Sequence, residues 1–127
     1  MNLIDNIIEN LLKVAWNKCS KYFKDCDAED KIRYGIAYEN YLRKTFERNS
    51  KIKTIIYRHR SENLYSFYEH IYVRYNKQII YTEKIENLIR IGNKLIVSGL
   101  GGVGKSTLFK HLFLDTIQST EYIPVLL

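Results

Sequence analysis

Residues 99–107, which read Gly-Leu-Gly-Gly-Val-Gly-Lys-Ser-Thr, are the stretch around which the rest of the chain can be organised. Four of the six glycines of the chain lie in it. The spacing G-x-x-x-x-G-K-[ST] is met by Gly99, Gly104, Lys105 and Ser106. An apolar run at residues 95–97 suits a buried strand, and residues 105–117 have helical apolar spacing. This strand, loop and helix order is the context that gives the pattern its meaning.

The residue types of this loop suit a phosphate-binding site. Glycine lets the backbone adopt conformations closed to other residues and approach a ligand closely. Successive N–H groups can then face one hollow, and the next helix points its positive end at the same anion. Lys105 is predicted to reach the β- and γ-phosphates, and the Ser106 hydroxyl to ligate Mg²⁺. The predicted nucleotide-binding residues are Gly99, Leu100, Gly101, Gly102, Val103, Gly104, Lys105, Ser106 and Thr107.

The N-terminal part of the chain is predicted to be helical. Apolar residues at steps of three or four indicate one helix over residues 3–24 and a second over residues 28–48. The charged run at residues 25–30 separates them and supplies an N-cap for the second helix. A tyrosine-rich stripe on the second helix is expected to be core. Two helices joined by a short loop predict an antiparallel hairpin.

Strand and turn signals follow in residues 49–81. Residues 51–57 are apolar and β-branched, residues 64–68 are aromatic and turn-like, and residues 70–75 and 78–81 favour strands. Beyond them, Thr82 is expected to cap a helix that buries Ile85, Leu88 and Ile89, and Gly92 is expected to end it at C′. In the helix at residues 105–117, the residues expected to face inward are Leu108, Phe109, Leu112 and Phe113.

Residues 122–127 form a second apolar run suited to a buried strand. Strand, loop, helix and strand make a right-handed βαβ unit with parallel strands. The predicted fold class is therefore α/β, with a helical N-terminal region before the start of a P-loop domain. The predicted division is a helical region at residues 1–60, an entry segment at 61–81 and an incomplete βαβ unit at 82–127. Because the chain stops inside a predicted strand, we expect it to be part of a longer protein.

Composition and charge limit the partners and the cellular location that we expect for the chain. The chain has 127 residues, is 46% hydrophobic and carries a net charge of +6. Residues 31–98 hold fourteen Lys and Arg against six Asp and Glu. This excess of positive charge suits binding of nucleic acid or an acidic partner, although a solvated helix face is the simpler explanation. Two cysteines predict reduced thiols rather than a disulfide framework. Without a membrane span or signal peptide, we expect a soluble cytoplasmic protein.

The stretch 82–127 resembles the STAND class of signal-transduction NTPases. The resemblance rests on the helix before Gly92, the apolar run 94–98, the loop GLGGVGKSTL and the run Tyr-Ile-Pro-Val-Leu-Leu at residues 122–127. The loop is similar to both NACHT and NB-ARC proteins, whereas the last run is more similar to NACHT. The resemblance implies ATP or GTP with Mg²⁺ as cofactors, residues 1–60 as an effector-associated region, and an oligomerising switch in innate immunity or antiphage defence.

The same resemblance sets what we expect of catalysis. The second acidic motif of the family, which completes the Mg²⁺ site, would fall after Leu127. We therefore expect ATP hydrolysis of a complete protein, and we predict no catalytic residue in this chain. The trigger and the effector partner are not predicted.

Alternatives stay open. Chromosome-partitioning ATPases have a similar loop but carry a signature lysine where this chain has Leu100. A metabolic or nucleic-acid-acting P-loop enzyme with an N-terminal extension is a second interpretation, and an interaction module with a vestigial loop is a third. Residues 57–60 are a candidate clamp for nucleotide or an acidic partner. Candidates for the wall of an adenine site are Phe67, Tyr68 and Tyr72. The three histidines are too scattered to predict a metal site, and His111 is expected at the surface or the edge of the core.

Overall fold

The computed structural model describes residues 3–19, 25, 27–53, 59, 62–119 and 122–127. They combine helices with two small antiparallel sheets. The elements are α1 (Leu3–Cys19), α2 (Ala28–Asn49), β1 (Lys51–Ile52), β2 (Glu62–Asn63), a 3₁₀ turn (Leu64–Ser66), β3 (Tyr72–Tyr75), β4 (Gln78–Tyr81), α3 (Ile85–Ile89) and α4 (Lys105–Ser119). They belong to two compact units, Met1–Arg48 with Thr116–Leu127, and Asn49–Asp115.

The first unit contains the two long helices that the apolar spacing predicts. Ile8 of α1 and Leu42 of α2 are buried. The start of α2 is capped by Asp27, whose Oδ1 accepts a hydrogen bond from the N–H of Asp30 at 2.8 Å. This confirms the N-cap predicted within residues 25–30. The part of the first predicted helix at residues 20–24 lies outside the described residues.

An ion-pair network joins the two helices of the first unit. The Arg43 guanidinium donates to Asp5 Oδ1 at 2.6 Å and to Glu39 Oε1 at 2.9 Å. Its hydrogen bond to Asp5, and to a smaller extent that to Glu39, raises the pKa of Arg43 above its usual value. Asp5 lies near the start of α1 and Arg43 near the end of α2, as an antiparallel helix pair requires.

Two tyrosines of α2 bind the C-terminal run of the first unit. The Tyr41 hydroxyl donates to the carbonyl of Leu126 at 3.1 Å and accepts from the Leu126 N–H. The stacked ring of Tyr38 places its hydroxyl 3.4 Å from the carbonyl of Pro124. A single hydroxyl thus forms hydrogen bonds with both the N–H and the carbonyl of Leu126, two groups that a neighbouring strand would otherwise pair. Tyr34, on the same predicted stripe, is exposed.

We expect Tyr41→Phe to release the backbone of Leu126. The substitution keeps the ring but removes both hydrogen bonds, each of which contributes about 1 kcal/mol when partly buried. Amide hydrogen exchange of Leu126 should accelerate by about tenfold or more. Tyr75→Phe is the matched control because the Tyr75 ring is exposed. Unchanged exchange in Tyr41→Phe would show that this hydroxyl does not hold the segment.

The second unit is built on the β3–β4 hairpin, which the strand signals predict. The paired residues are Tyr72 with Tyr81, Val73 with Ile80, Arg74 with Ile79, and Tyr75 with Gln78. Asn76 and Lys77 form the two-residue turn with φ of 47° and 65°. Positive φ at both central residues is typical of the type I′ turn, whose twist suits a hairpin. The second, shorter pair joins β1 to β2, and residues 54–58 between them lie outside the described residues.

The core of the second unit lies between the hairpin, α3 and α4. Leu88, Leu108 and Leu112 are buried together, and the partly buried residues packed on them are Ile71, Val73, Ile80, Ile85, Ile91 and Val97. Helix α4 confirms the predicted helix after the loop. Phe109 was expected to face inward, but this is wrong, because its side chain is 43% exposed. The inward positions of α4 are taken by Leu108, Leu112 and Phe113.

Both predicted ends of α3 need correction. The hydroxyl of Thr82 does not cap the helix, because it donates to the carbonyl of Ile71 and so closes the base of the hairpin. The N-cap residue is Lys84, and the free N–H of Ile85 donates to the Asp115 carboxylate at 2.8 Å. Gly92 does not end the helix at C′, because the C-cap is Arg90, two residues earlier.

The predicted parallel strands are not formed in the described residues. Residues 95–97 and 122–127 belong to no helix or strand, and the described strands pair antiparallel. Ile96 is 97% exposed while Val97 packs on the core of its unit. The parallel βαβ unit and the domain boundaries after residues 60 and 81 therefore stay predictions.

Candidate functional site

Two of the four glycines of the loop adopt a left-handed backbone. The loop occupies residues 99–104 and leads directly into α4 at Lys105. Gly102 and Gly104 have φ of 81° and 92°, in the left-handed region that side chains with a Cβ avoid. A Cβ at Gly99 would lie 3.0 Å from Cγ2 of Val103, so a side chain there would require Val103 to shift by a few tenths of an ångström.

Lys105 folds back over this loop. Its Nζ donates to the carbonyl oxygens of Gly99 at 2.6 Å and Leu100 at 2.8 Å. The ammonium is therefore held at the loop by two neutral acceptors. An anionic oxygen is a stronger acceptor for this group than a carbonyl, so a phosphate in the loop could compete for it.

The first turn of α4 completes the loop. The first hydrogen bond that enters the helix runs from the Leu108 N–H to the Gly104 carbonyl at 2.8 Å. The N–H groups of Lys105, Ser106 and Thr107 precede it and, as in other helix starts, have no partner within the helix. Ser106 is exposed and Thr107 is half-buried. These donors and the helix dipole make this turn suitable for an anion.

The residues present fit a polyphosphate and one magnesium ion. The two left-handed glycines form a cradle without side chains, and the Lys105 ammonium supplies a positive charge beside it. Mg²⁺ commonly takes one or two protein oxygens and completes its shell with phosphate and water. The Ser106 hydroxyl could supply one of these. Within the described ranges, no group of three or more His, Cys, Asp or Glu residues could hold a metal by itself.

A groove of about 570 Å³ adjoins the loop within the second unit. Lys105, Val103 and Ser98 line it on the loop side, and residues of β3 line it elsewhere. The other lining residues are His70, Ile71, Leu88, Ile91, Leu95, Ile96, Val97 and Leu108. Its walls are mostly apolar, and its charged groups are the Lys105 ammonium and the Arg74 guanidinium. Such a groove suits a ligand with an apolar body and an anionic end.

The structure does not bring the three aromatic candidates for an adenine wall together at the groove. Tyr72 lines the groove beside the loop. Phe67 is exposed and ends the 3₁₀ turn, while Tyr68 stacks on His111 with ring centroids 4.9 Å apart. Tyr72 is thus the only one of the three on this groove. Of the candidate clamp at residues 57–60, His59 is exposed in a turn and the other three positions lie outside the described residues.

His111 is the central residue of a buried polar cluster that sequence reasoning missed. It is 3% exposed, which corrects the expectation of a surface or core-edge position. Its Nε2 lies 3.0 Å from the carbonyl of Thr82 and 3.2 Å from that of Glu83, so it must carry the proton. Its Nδ1 then accepts from the Tyr65 hydroxyl at 3.0 Å. This neutral tautomer satisfies both ring nitrogens.

The surroundings of His111 favour its neutral form. Burial lowers the pKa of His111 below 6.5, and the neighbouring His70, whose ring centroid is 4.9 Å away, lowers it further. Burial, followed by the charge of Asp115, raises the pKa of Tyr65 to about 12, so the phenol stays a donor. The structure thus places His70 next to His111, although the two are 41 residues apart in the sequence.

Asp115 is the second buried polar group on α4. Its Oδ2 accepts from the Ile85 N–H, and its Oδ1 accepts from Lys84 Nζ at 3.0 Å. This hydrogen bond is also the main reason that the pKa of Lys84 is raised. The carboxylate therefore anchors α4 to the start of α3 and uses both of its oxygens to do so.

The comparisons with known proteins add no relative. Neither protein-family models, nor curated proteins, nor solved structures give a match to the chain. As for membranes, none of the helices in the described ranges combines the length and apolar composition that a span needs.

The lowered pKa of His111 predicts an acid-sensitive fold. The unfolded chain binds this proton more tightly, so the stabilisation by neutral His111 is complete above pH 6.5 and is lost as the pH falls towards the folded pKa. In urea unfolding between pH 5 and pH 8, stability should fall below about pH 6.5. His111→Gln should flatten this fall and lower stability at pH 7.5 by about 1–3 kcal/mol.

His59→Gln is the matched control for this pH series, because the His59 side chain is exposed. It should retain the pH dependence of the unsubstituted chain. An equally steep fall in His111→Gln would assign the acid sensitivity to other groups.

Proposed function

We propose that residues 99–107 bind the phosphates of ATP or GTP together with Mg²⁺, and that the chain is the nucleotide-binding part of a NACHT-like signal-transduction NTPase. The observation that carries the binding proposal is the Lys105 ammonium, held across the mouth of a loop with two left-handed glycines. The spacing of the loop predicts that Lys105 reaches the β- and γ-phosphates, and a glycine turn without a ligand does not require a lysine there.

Each part of the loop has a task in this proposal. The cradle N–H groups of the first turn of α4 donate to phosphate oxygens, and Lys105 moves its hydrogen bonds from neutral carbonyls to the anion. The Ser106 hydroxyl provides one oxygen for Mg²⁺, which would neutralise phosphate charge when bound. The groove beside the loop accommodates the nucleoside, with Tyr72 as part of its wall.

We assign binding rather than hydrolysis to these residues. Hydrolysis requires a group that positions the attacking water and usually a second acidic metal ligand. On α4, Asp115 is the acidic residue, but its carboxylate is engaged by Lys84 and Ile85. In a complete NACHT-like protein, the second acidic motif would come from further along the chain.

The narrower proposal rests on the resemblance of residues 82–127. It makes the chain part of a cytoplasmic, oligomerising switch in innate immunity or antiphage defence, with a parallel βαβ unit that includes the runs at residues 95–97 and 122–127. The exposed Ile96 supports the βαβ unit, because helices that cover both faces of a parallel sheet would bury this apolar side chain.

Titration with a fluorescent ATP analogue in the presence of Mg²⁺ tests the binding proposal. Lys105→Ala should weaken binding by about tenfold or more, because a hydrogen bond from a charged group is worth about 1.5–3 kcal/mol. Lys110→Ala on the same helix is the matched control and should bind as the unsubstituted chain does. Competition with unlabelled ATP and GTP then gives the base preference. Equal affinities for Lys105→Ala and Lys110→Ala would contradict the proposal.

A further inference from the structure

The β3–β4 hairpin presents a polar and aromatic face that extends beyond the groove beside the loop, because Ile79 and Tyr81 do not line that groove. Side chains alternate along each strand, and paired residues share a face. Val73 and Ile80 are a pair, and both pack on the core of the second unit. The pairs on either side of them therefore point away from this core. They are Tyr72 with Tyr81 and Arg74 with Ile79, which we call the outer face.

The outer face is open to solvent. Tyr72 is 59% exposed, Tyr81 is 63% exposed and Ile79 is 50% exposed. Tyr72 and Tyr81 lie directly opposite each other across the two strands. Both rings therefore lie on one face of adjacent strands and are open to solvent.

The charge around these rings is positive. Arg74 lies on the outer face itself, Lys77 lies in the turn, and residues 72–81 contain no Asp or Glu. The nearest carboxylates in sequence, those of Glu69 and Glu83, lie beyond the two ends of the hairpin. Among the described residues, neither Arg74 nor Lys77 is joined to a carboxylate. The whole unit Asn49–Asp115 holds eleven Lys and Arg against five Asp and Glu.

We propose that the outer face binds single-stranded nucleic acid, with bases stacked on Tyr72 and Tyr81 and backbone phosphate held by Arg74. Aromatic rings accept any base, and cations beside them hold the backbone, which is the usual chemistry of single-strand recognition on a sheet surface. An apolar protein partner would not require the two cations, and an acidic peptide would not require two open tyrosine rings. This site shares Tyr72 and Arg74 with the groove beside the loop and extends it to Tyr81.

Tyr81 separates the two sites experimentally. Tyr72 and Arg74 also line the groove beside the loop, whereas Tyr81 and Ile79 do not. A substitution at Tyr81 should therefore change nucleic-acid binding and leave binding of the fluorescent ATP analogue unchanged. Loss of ATP binding in Lys105→Ala should, conversely, leave the outer face able to bind an oligonucleotide.

Fluorescence anisotropy with labelled oligo-dT and oligo-rU of about 12 nucleotides, without ATP, tests the proposal. The unsubstituted chain should bind both, less tightly as salt rises. Tyr81→Ala should weaken binding by about tenfold, whereas Tyr81→Phe should retain it because the ring remains. Arg74→Ala should weaken binding and also reduce its salt dependence. Gln78→Ala, on the same hairpin but on the opposite face and outside the groove, is the control.

The Tyr81→Thr variant distinguishes loss of the ring from disruption of the hairpin, because threonine favours strands but has no ring. It should lose binding as Tyr81→Ala does, while circular dichroism and the thermal midpoint stay close to those of the unsubstituted chain. Three results would overturn the proposal. The first is a lack of oligonucleotide binding at low salt. The second is equal binding by the unsubstituted chain, Tyr81→Ala and Tyr81→Thr. The third is a dimer in light scattering that Tyr81→Ala abolishes, since the outer face would then belong to a second copy.

Discussion

The hydrogen bonds of Lys105 Nζ to the carbonyls of Gly99 and Leu100 depend on a backbone that doubles back before α4 begins. That backbone is available only because Gly102 and Gly104 tolerate a left-handed φ. A side chain at either position would strain the loop. The placement of charge at this end of α4 is therefore determined by glycine backbone geometry before any ligand is considered.

Helix α4 must also be held in place if its first turn is to bind an anion. Within the second unit, Leu108 and Leu112 fix it through apolar packing. His111 and Asp115 fix it through directed bonds, to the carbonyls of Thr82 and Glu83 and to the N–H of Ile85. Buried polar groups of this kind are costly to leave unpaired, so they favour one rotation of the helix about its axis. The same rotation presents Ser106 to solvent.

Local signals in the sequence predicted most of the elements. The helices, the hairpin and the glycine loop each follow from neighbouring residues, since caps, turns and apolar periodicity act over a few positions. The 3₁₀ turn and the Asp27 cap belong to the same class. What the sequence could not give are contacts between distant residues. Tyr65 and His111 are 46 positions apart, and nothing near His111 indicates that its ring is buried and bonded on both sides.

The errors at Thr82 and Phe109 have the same origin. Thr82 has a good capping side chain, but the carbonyl of Ile71 across the hairpin takes its hydroxyl, and Asp115 takes over at the helix start. Phe109 lies on the apolar stripe of α4, but the core of its unit is filled from that helix by Leu108 and Leu112, and Phe109 stays 43% exposed. The candidate site shows the same division, because the glycine loop was predictable from neighbouring residues, whereas the groove beside it is lined by distant ones, among them β3 and residues 95–98.

The most direct test of the central claim is an amide correlation spectrum of the ¹⁵N-labelled chain with ATP and Mg²⁺, compared with the same spectrum with adenosine. If residues 99–107 form a phosphate cradle, ATP should shift the amide signals of residues 101–107 strongly, and adenosine should leave them in place. Equal shifts with adenosine and ATP, or an ATP response that spares these amides, would contradict the account.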